Sequence, residues 1–281
     1  MLQLFATSLA NLGSSKQYVE TMDVTFIGSG NLAWHLAPAL DNSDYPVREV
    51  YSVNPRNAEA LVKRLYRASV SSSLDFSASG SRLFILAVPD DAIAEVAREI
   101  VLPEDAILVH TSGSQPLGIL KGAATSRLGV FYPFQTFTKG RKLDFRDVHM
   151  FVEGNSSEVT KVLLDAARSI TGKVTSLSSD ERRFVHIGAI FASNFTNHML
   201  TISRDIMSRR KLDFEWLKPL VIETINKSMS IGSEAAQTGP ARRGDLEILD
   251  KHMELLREDE AVAEIYRVVS QHIVDWYHPD R

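Results

Sequence analysis

From Asp23 to Gly154, short apolar runs alternate with stretches whose apolar residues recur at helical spacing. The runs VTFIG, Arg48–Val53, Arg82–Val88, Ala106–His110, Arg127–Tyr132 and Val148–Gly154 read as buried strands. Helical patterns fit between the first several of them, over Leu32–Leu40, Ala58–Leu65 and Asp91–Ile100. This alternation predicts a parallel sheet with crossover helices. Beyond about Ser156 the strand signal fades. Helical patterns then cover about Glu158–Ile170, Ser179–Met207, Glu215–Ile231, Asp245–Leu256 and Glu260–Tyr277. The pattern predicts an α/β domain over residues 22–154 and an all-α domain over residues 155–281.

The first run leads into an unusual turn. In VTFIGSGNLAWHLAPAL, Gly28, Gly30 and Ala33 fall on the G-x-G-x-x-G/A spacing between a strand and a helix. The first glycine makes the tight turn and the second lets the backbone approach a pyrophosphate. The third small residue packs helix on strand. The helix then offers unpaired N–H groups to phosphate. The α/β half is therefore read as a Rossmann domain, with Gly28, Ser29, Gly30, Asn31, Leu32 and Ala33 at the cofactor. An acid about 20 positions further on would hold the ribose 2′-hydroxyl of NAD. Here the second strand ends in SVNPRN. Asn54 and Arg56 suit a 2′-phosphate instead, which favours NADP over NAD.

Composition narrows the classes. With 281 residues the chain has room for about two domains. Hydrophobic content of 44% and charged content of 23% are those of an ordinary globular protein. A formal charge of −4 gives no reason to expect nucleic acid. The absence of cysteine excludes disulfides, thiolate catalysis and cysteine-ligated zinc, and no metal site is expected. No apolar run approaches the roughly 18–20 residues that span a bilayer, so no membrane partner is expected. Residues 1–21 have no basic n-region and no clear small-residue cleavage site. They are expected to be an extension outside the fold, and the chain to be cytoplasmic.

Ligands of open α/β sheets sit beyond the carboxyl ends of the strands. Ala87, Val88 and Pro89 would line the nicotinamide side of the cofactor there, while Asp90 and Asp91 suit helix capping. The HTSGS loop sets His110, Ser112 and Gly113 where cofactor and substrate would meet; the alternative is a simple turn. YPFQTF, residues 132–137, adds aromatic walls and Gln135.

In RFVHIGAIFASNFTNHMLTIS, an advance of about 100° per residue places His186, Ser193, Asn194, Asn197 and Thr201 within an arc of about 100°. The other directions are apolar, as on a buried helix. Such a stripe meets a ligand or forms a satisfied polar network. The first reading makes His186 and Asn194 catalytic and Asn197 substrate-binding. In QTGPARRGD, Gly239–Pro240 breaks one helix and Asp245 can cap the next. Arg243 could clamp an anionic substrate group; otherwise it is a solvated turn residue.

Together, FIGSGNLAWHLA, FILAVPDDAI, VHTSGS, YPFQTF, HIGAIFASNFTNHML and TGPARRGD resemble the motifs of one family, in order, from about Met22 onward. It comprises Rossmann-like proteins with a C-terminal helical domain of unknown function, described as NADP oxidoreductases of the coenzyme-deazaflavin-dependent type. The resemblance implies the fold of the 6-phosphogluconate dehydrogenase-like superfamily and homodimerisation through the helical domain. It matches Gly28, Gly30 and Ala33 to the cofactor turn, and His110 to Gly113 to a His-Thr-Ser-Gly loop. It further matches His186 and Asn194 to the family's helix, and Arg243, Gly244 and Asp245 to its late Arg-Gly-Asp. The β-hydroxyacid dehydrogenases of the wider superfamily carry a catalytic lysine one turn before the asparagine. Here that place is Ile190, and no lysine occurs between Lys173 and Lys211. His186 is the titratable candidate left on the stripe.

Two functional readings follow. One is an NADP-dependent oxidoreductase moving a hydride between nicotinamide and a small carbonyl or imine substrate. The other is a non-catalytic NADP-binding sensor or regulatory protein.

Overall fold

The computed structural model describes residues 22–279; the expectation for residues 1–21 lies outside them. Eight strands form one sheet. They are β1 (Val24–Ile27), β2 (Val47–Tyr51), β3 (Ser69–Ser71), β4 (Leu83–Leu86), β5 (Ile107–His110), β6 (Arg127–Phe134), β7 (His149–Gly154) and β8 (Val174–Ser176). Their order is β3-β2-β1-β4-β5-β6-β7-β8. Strands β1, β4 and β5 are buried at every position, which is why they read as unbroken apolar runs rather than alternating ones.

The sheet is parallel from β3 through β6. Strand β7 departs from the expected parallel pattern: it runs antiparallel to β6 and sets Tyr132 opposite Phe151. The link between them carries only a short 3₁₀ turn at Phe145–Asp147. A strand that returns without a crossover helix pairs antiparallel. Strands β3 and β8 were not foreseen. Each has three residues, SVS and VTS, at the two sheet edges, too short and polar to carry an apolar pattern.

Helices α1 (Asn31–Asp41), α2 (Pro55–Val62), α3 (Ile93–Glu99) and α4 (Ser157–Arg168) cover the sheet. Helix α1 buries Ala33, Leu36, Ala37 and Leu40, an i, i+3, i+4, i+7 stripe. Helix α4 buries Val159, Leu163, Ala166 and Ala167. Helices α1, α2 and α4 share one core with Phe26, Leu83, Ile85 and Val109; α3 shares the other with Ile27, Phe84, Leu86 and Leu108. Neighbouring strand residues thus feed opposite faces.

The chain divides into two compact units, the first ending at Gly188 and the second starting at Ala189. Helix α4 packs its stripe into the sheet core and β8 pairs with β7, so both belong to the first unit. Helix α5 (Ser179–Ala189) leads into a π-helical stretch, Ile190–Phe195. The second unit continues with α6 (Thr196–Arg209), α7 (Lys218–Ile231), α8 (Ser233–Ala236), α9 (Pro240–Arg243), α10 (Leu246–Leu256) and α11 (Glu260–Tyr277). Asp245 and Asp259 cap α10 and α11 by accepting from the Ile248 and Val262 N–H groups. Among the described residues of this unit, the buried apolar side chains are Ala241, Ala263 and Val274. No helix among the described residues is long and apolar enough to cross a membrane.

Candidate functional site

The glycine turn lies where the strand order reverses, beside the end of β4. Gly28 has φ +107°, and a Cβ there would meet the Ala87 carbonyl oxygen at 2.2 Å. The Ala87 N–H donates to the Ile27 carbonyl (2.7 Å) and the Gly28 N–H to the Tyr51 carbonyl (2.8 Å). Only glycine fits this junction. At Gly30 a Cβ would meet no atom within 4 Å, so the second glycine faces open space. Helix α1 starts there with no side-chain cap and no acid in its first turn. Its leading amides remain available to an anion. Ala33 is fully buried under the turn.

Beyond β2 the chain reads Ser52, Val53, Asn54. Ser52 bonds the Ser29 hydroxyl (2.9 Å). Asn54 caps α2 by accepting from the Arg56 N–H (3.1 Å), and Arg56 stands exposed. The acid of β2, Glu49, is taken up by the Thr25 and Ser79 hydroxyls. The strand end therefore presents an amide and a guanidinium and no carboxylate. Leu32 and the Ala87–Val88 stretch are half-buried, while Asn31 and Pro89 are exposed.

The HTSGS loop closes on itself. The Ser112 N–H donates to His110 Nδ1 (3.1 Å). Ser112 Oγ accepts from the N–H groups of Ser114 and Gln115 (3.1 and 3.0 Å) and donates to Asp90 Oδ2 (2.9 Å). Ser114 Oγ donates to the same carboxylate oxygen. Asp90 thus ties the β5 loop to the β4 exit instead of capping a helix. His110 and Ser112 are buried and turned into this network. Burial, reinforced by the Arg182 guanidinium, pushes the His110 imidazole down to about 4, so it is neutral near pH 7.

Gly113 packs against a pair that the sequence pattern did not join. Tyr132 Oη and His186 Nδ1 lie 3.1 Å apart, with the rings edge-on at 6.1 Å. A Cβ on Gly113 would meet His186 Nδ1 and Tyr132 Cζ, each at 2.6 Å. Burial, aided by Asp90, raises the Tyr132 phenol to about 12, against an opposing pull from Arg182. The phenol stays protonated near pH 7, and its oxygen lies within hydrogen-bond reach of the imidazole Nδ1.

One turn before His186, Arg182 is 1% exposed. It pairs with Glu153 on β7 and donates to the Gln115 carbonyl (2.6 Å). Ser179 Oγ donates to the same carboxylate and accepts from the Leu117 N–H (2.9 Å). Helix α5 is so fixed to β7 and to the segment after HTSGS. An arginine i−4 from a candidate histidine was the available signal for this anchor; its partner, 29 residues away, left none.

The other candidates lie in the second unit. Asn194 is exposed within the π-helical stretch, Asn197 is exposed on α6, and Arg243 is exposed at the end of α9. The neighbouring Arg242 stacks over the Tyr277 ring at 4.1 Å. The expected stripe crosses a π-helical stretch between His186 and Asn197, where the advance per residue departs from 100°. Nor is the helix buried: Phe184 is 77% and Phe191 64% exposed.

An open sheet of this strand order, with a glycine turn at the reversal point, defines the Rossmann class of folds. Profile comparison agrees: a Rossmann-like domain matches residues 12–130, and a domain of unknown function, DUF2520, matches residues 148–273. A crystal structure from Bacteroides fragilis, described as a "putative NADP oxidoreductase", is 33% identical. It covers 90% of this chain and 98% of that one, with a TM-score of 0.82. The chain belongs to this family of Rossmann-like proteins with a DUF2520 domain. A Thermotoga maritima protein (21% identity, 92% and 99% covered, TM-score 0.69) shares the fold. So does the reductive aminase of Aspergillus terreus solved with NADPH and ethyl levulinate (14% identity, 93% and 95% covered, TM-score 0.71). Comparison with curated protein sequences finds no match.

Proposed function

We propose that the chain is an NADP-dependent oxidoreductase acting on a small carbonyl or imine substrate. The observation that carries this reading is the turn after β1: Gly28 is forced, Gly30 faces open space, and the neighbouring strand ends without an acid. Gly30, Asn31 and the first amides of α1 would hold the pyrophosphate. Asn54 and Arg56 would hold the 2′-phosphate, and the Ala87–Pro89 backbone would border the nicotinamide. The cofactor supplies the hydride. The chain's part is to place the substrate and move a proton. A carbonyl or imine that gains a hydride at carbon needs a proton at oxygen or nitrogen, which suits His186 Nε2. Tyr132 orients the imidazole through Nδ1 and is a positioning residue; Gly113 makes room for the contact. Asn194, Asn197 and Arg243, the remaining polar candidates, belong to the helical unit. That unit's uncovered apolar residues support the further reading that two copies of the chain pair through it.

Calorimetry tests the cofactor part. NADPH should bind the wild type more tightly than NADH, and Gly30→Val should abolish binding while the melting temperature holds. Equal affinities would sink the NADP assignment. Screening keto acids, aldehydes and imines for NADPH oxidation then tests catalysis. His186→Ala should lower turnover at least about 100-fold, the lower range for a positioned acid–base group, with NADPH affinity unchanged. Tight NADPH binding with no turnover on any of these substrates would favour the sensor reading.

A further inference from the structure

A cleft of about 970 Å³ opens along the outer side of α1. Its walls are the second half of α1, Arg64 beyond α2, the link at residues 140–146 and the end of α4. Pro38 lies inside α1 and has no N–H, so the Trp34 carbonyl loses its helical donor. Arg64 takes that place: its guanidinium donates to the Trp34 carbonyl and lies 4.2 Å over the indole. A cation is thereby fixed by two neutral groups, a carbonyl and an aromatic face, and among the described residues no carboxylate forms an ion pair with it.

The facing link adds Arg141, Lys142 and Arg146. Arg146 is paired with Asp144, the acid of the lining. Among the described residues, neither Arg141 nor Lys142 has a carboxylate partner. Four cations thus face one acid, in a chain whose formal charge is −4. The floor is apolar, from Pro38 and Ala39 to Phe145 and Ile170. Asn54 and Arg56 stand at the start of helix α2 and Arg64 just beyond its end, about 12 Å along the axis, so this is not the 2′-phosphate position.

We propose that the cleft is a second binding site, for a phosphorylated small molecule of nucleotide size. Fixed guanidinium forks suit phosphate oxygens. Several uncompensated cations suit a polyphosphate better than a single carboxylate. The apolar floor and indole edge suit a ring, and the volume lies at the upper end of small-ligand pockets, roughly 300–1,000 Å³.

The probes are ADP and inorganic pyrophosphate, titrated by calorimetry into the full chain and into Gly30→Val, in which the glycine turn is blocked. Both probes should still bind Gly30→Val, in which the cleft is the site left to them. Arg141→Ala/Lys142→Ala, on exposed positions, should weaken binding about tenfold or more, the scale of one charged hydrogen bond. Arg64→Ala should do the same, and circular dichroism melting checks that each variant is folded. Absence of binding overturns the proposal. So does binding unaffected by the Arg141/Lys142 pair, or binding lost in Gly30→Val, which would place the ligand in the glycine turn. Pyrophosphate binding without ADP binding overturns the assignment of ligand size.

Discussion

The sheet-bearing unit and the helical unit carry similar apolar patterns to opposite ends. In the first, Leu36, Leu40, Val159 and Leu163 leave their helices and disappear into the core. In the second, Trp216, Leu220, Met229 and Trp276 stand 62–82% exposed. A periodic stripe therefore states which face of a helix requires cover; it does not state which molecule provides it. The first unit covers its stripes with its own sheet. Among the described residues the second has no sheet, and these side chains stay exposed.

The comparison breaks most completely at assembly. If a second copy covers the helical unit, light scattering at micromolar concentration should give twice the chain's mass, with an interface above roughly 2,000 Å². Leu220→Asp/Met229→Asp should return it to a single chain. A monomeric wild type would refute the pairing.

Ion pairs give the next largest contrast. Arg182→Met removes the buried charge partner of the Glu153 carboxylate. It should lower stability in denaturant melts by about 3–5 kcal/mol. Arg209→Met in the helical unit removes a guanidinium that bridges Asp205 and Asp259 in solvent and should produce no measurable loss. Equal losses would show that the two units do not differ as their burial indicates.

Acid should act through His110. Above pH 6.5 this imidazole is neutral whether the chain is folded or unfolded, and the folded state keeps its full stability. Between pH 6.5 and about 4 the unfolded chain takes up a proton that the buried ring refuses. Stability should fall across that window by at most about 3 kcal/mol. His110→Gln should flatten this limb of the stability profile, and an unchanged slope would remove His110 as its source. The smallest effect expected is on cofactor choice: Arg56→Ala should narrow the NADPH-over-NADH preference several-fold, read by calorimetry. An unchanged ratio would take Arg56 out of 2′-phosphate recognition.

What could be read from the sequence follows from range. The glycine turn, the central strands and most helices are local patterns, and the structure has them within a few residues. Strands β3 and β8 are edge pieces whose pairing depends on a neighbour far along the chain. The π-helical stretch reads as ordinary helix because its residues have ordinary helical spacing. The site divides in the same way. Gly28 and Asn54 announce themselves through local geometry. Asp90 reads locally as a cap, since its partners, Ser112 and Ser114, lie more than twenty residues on. Tyr132 and His186 are 54 residues apart, and neither names the other.

Gly113 allows the identity of these two groups to be separated from their placement. Any side chain at 113 must enter the space where the imidazole nitrogen and the phenol now touch. Gly113→Ala would leave every proton-bearing atom of the site in the molecule and alter only the distance between two of them. Deletion of either ring changes the reagents. A single methyl group at 113 changes the arrangement alone.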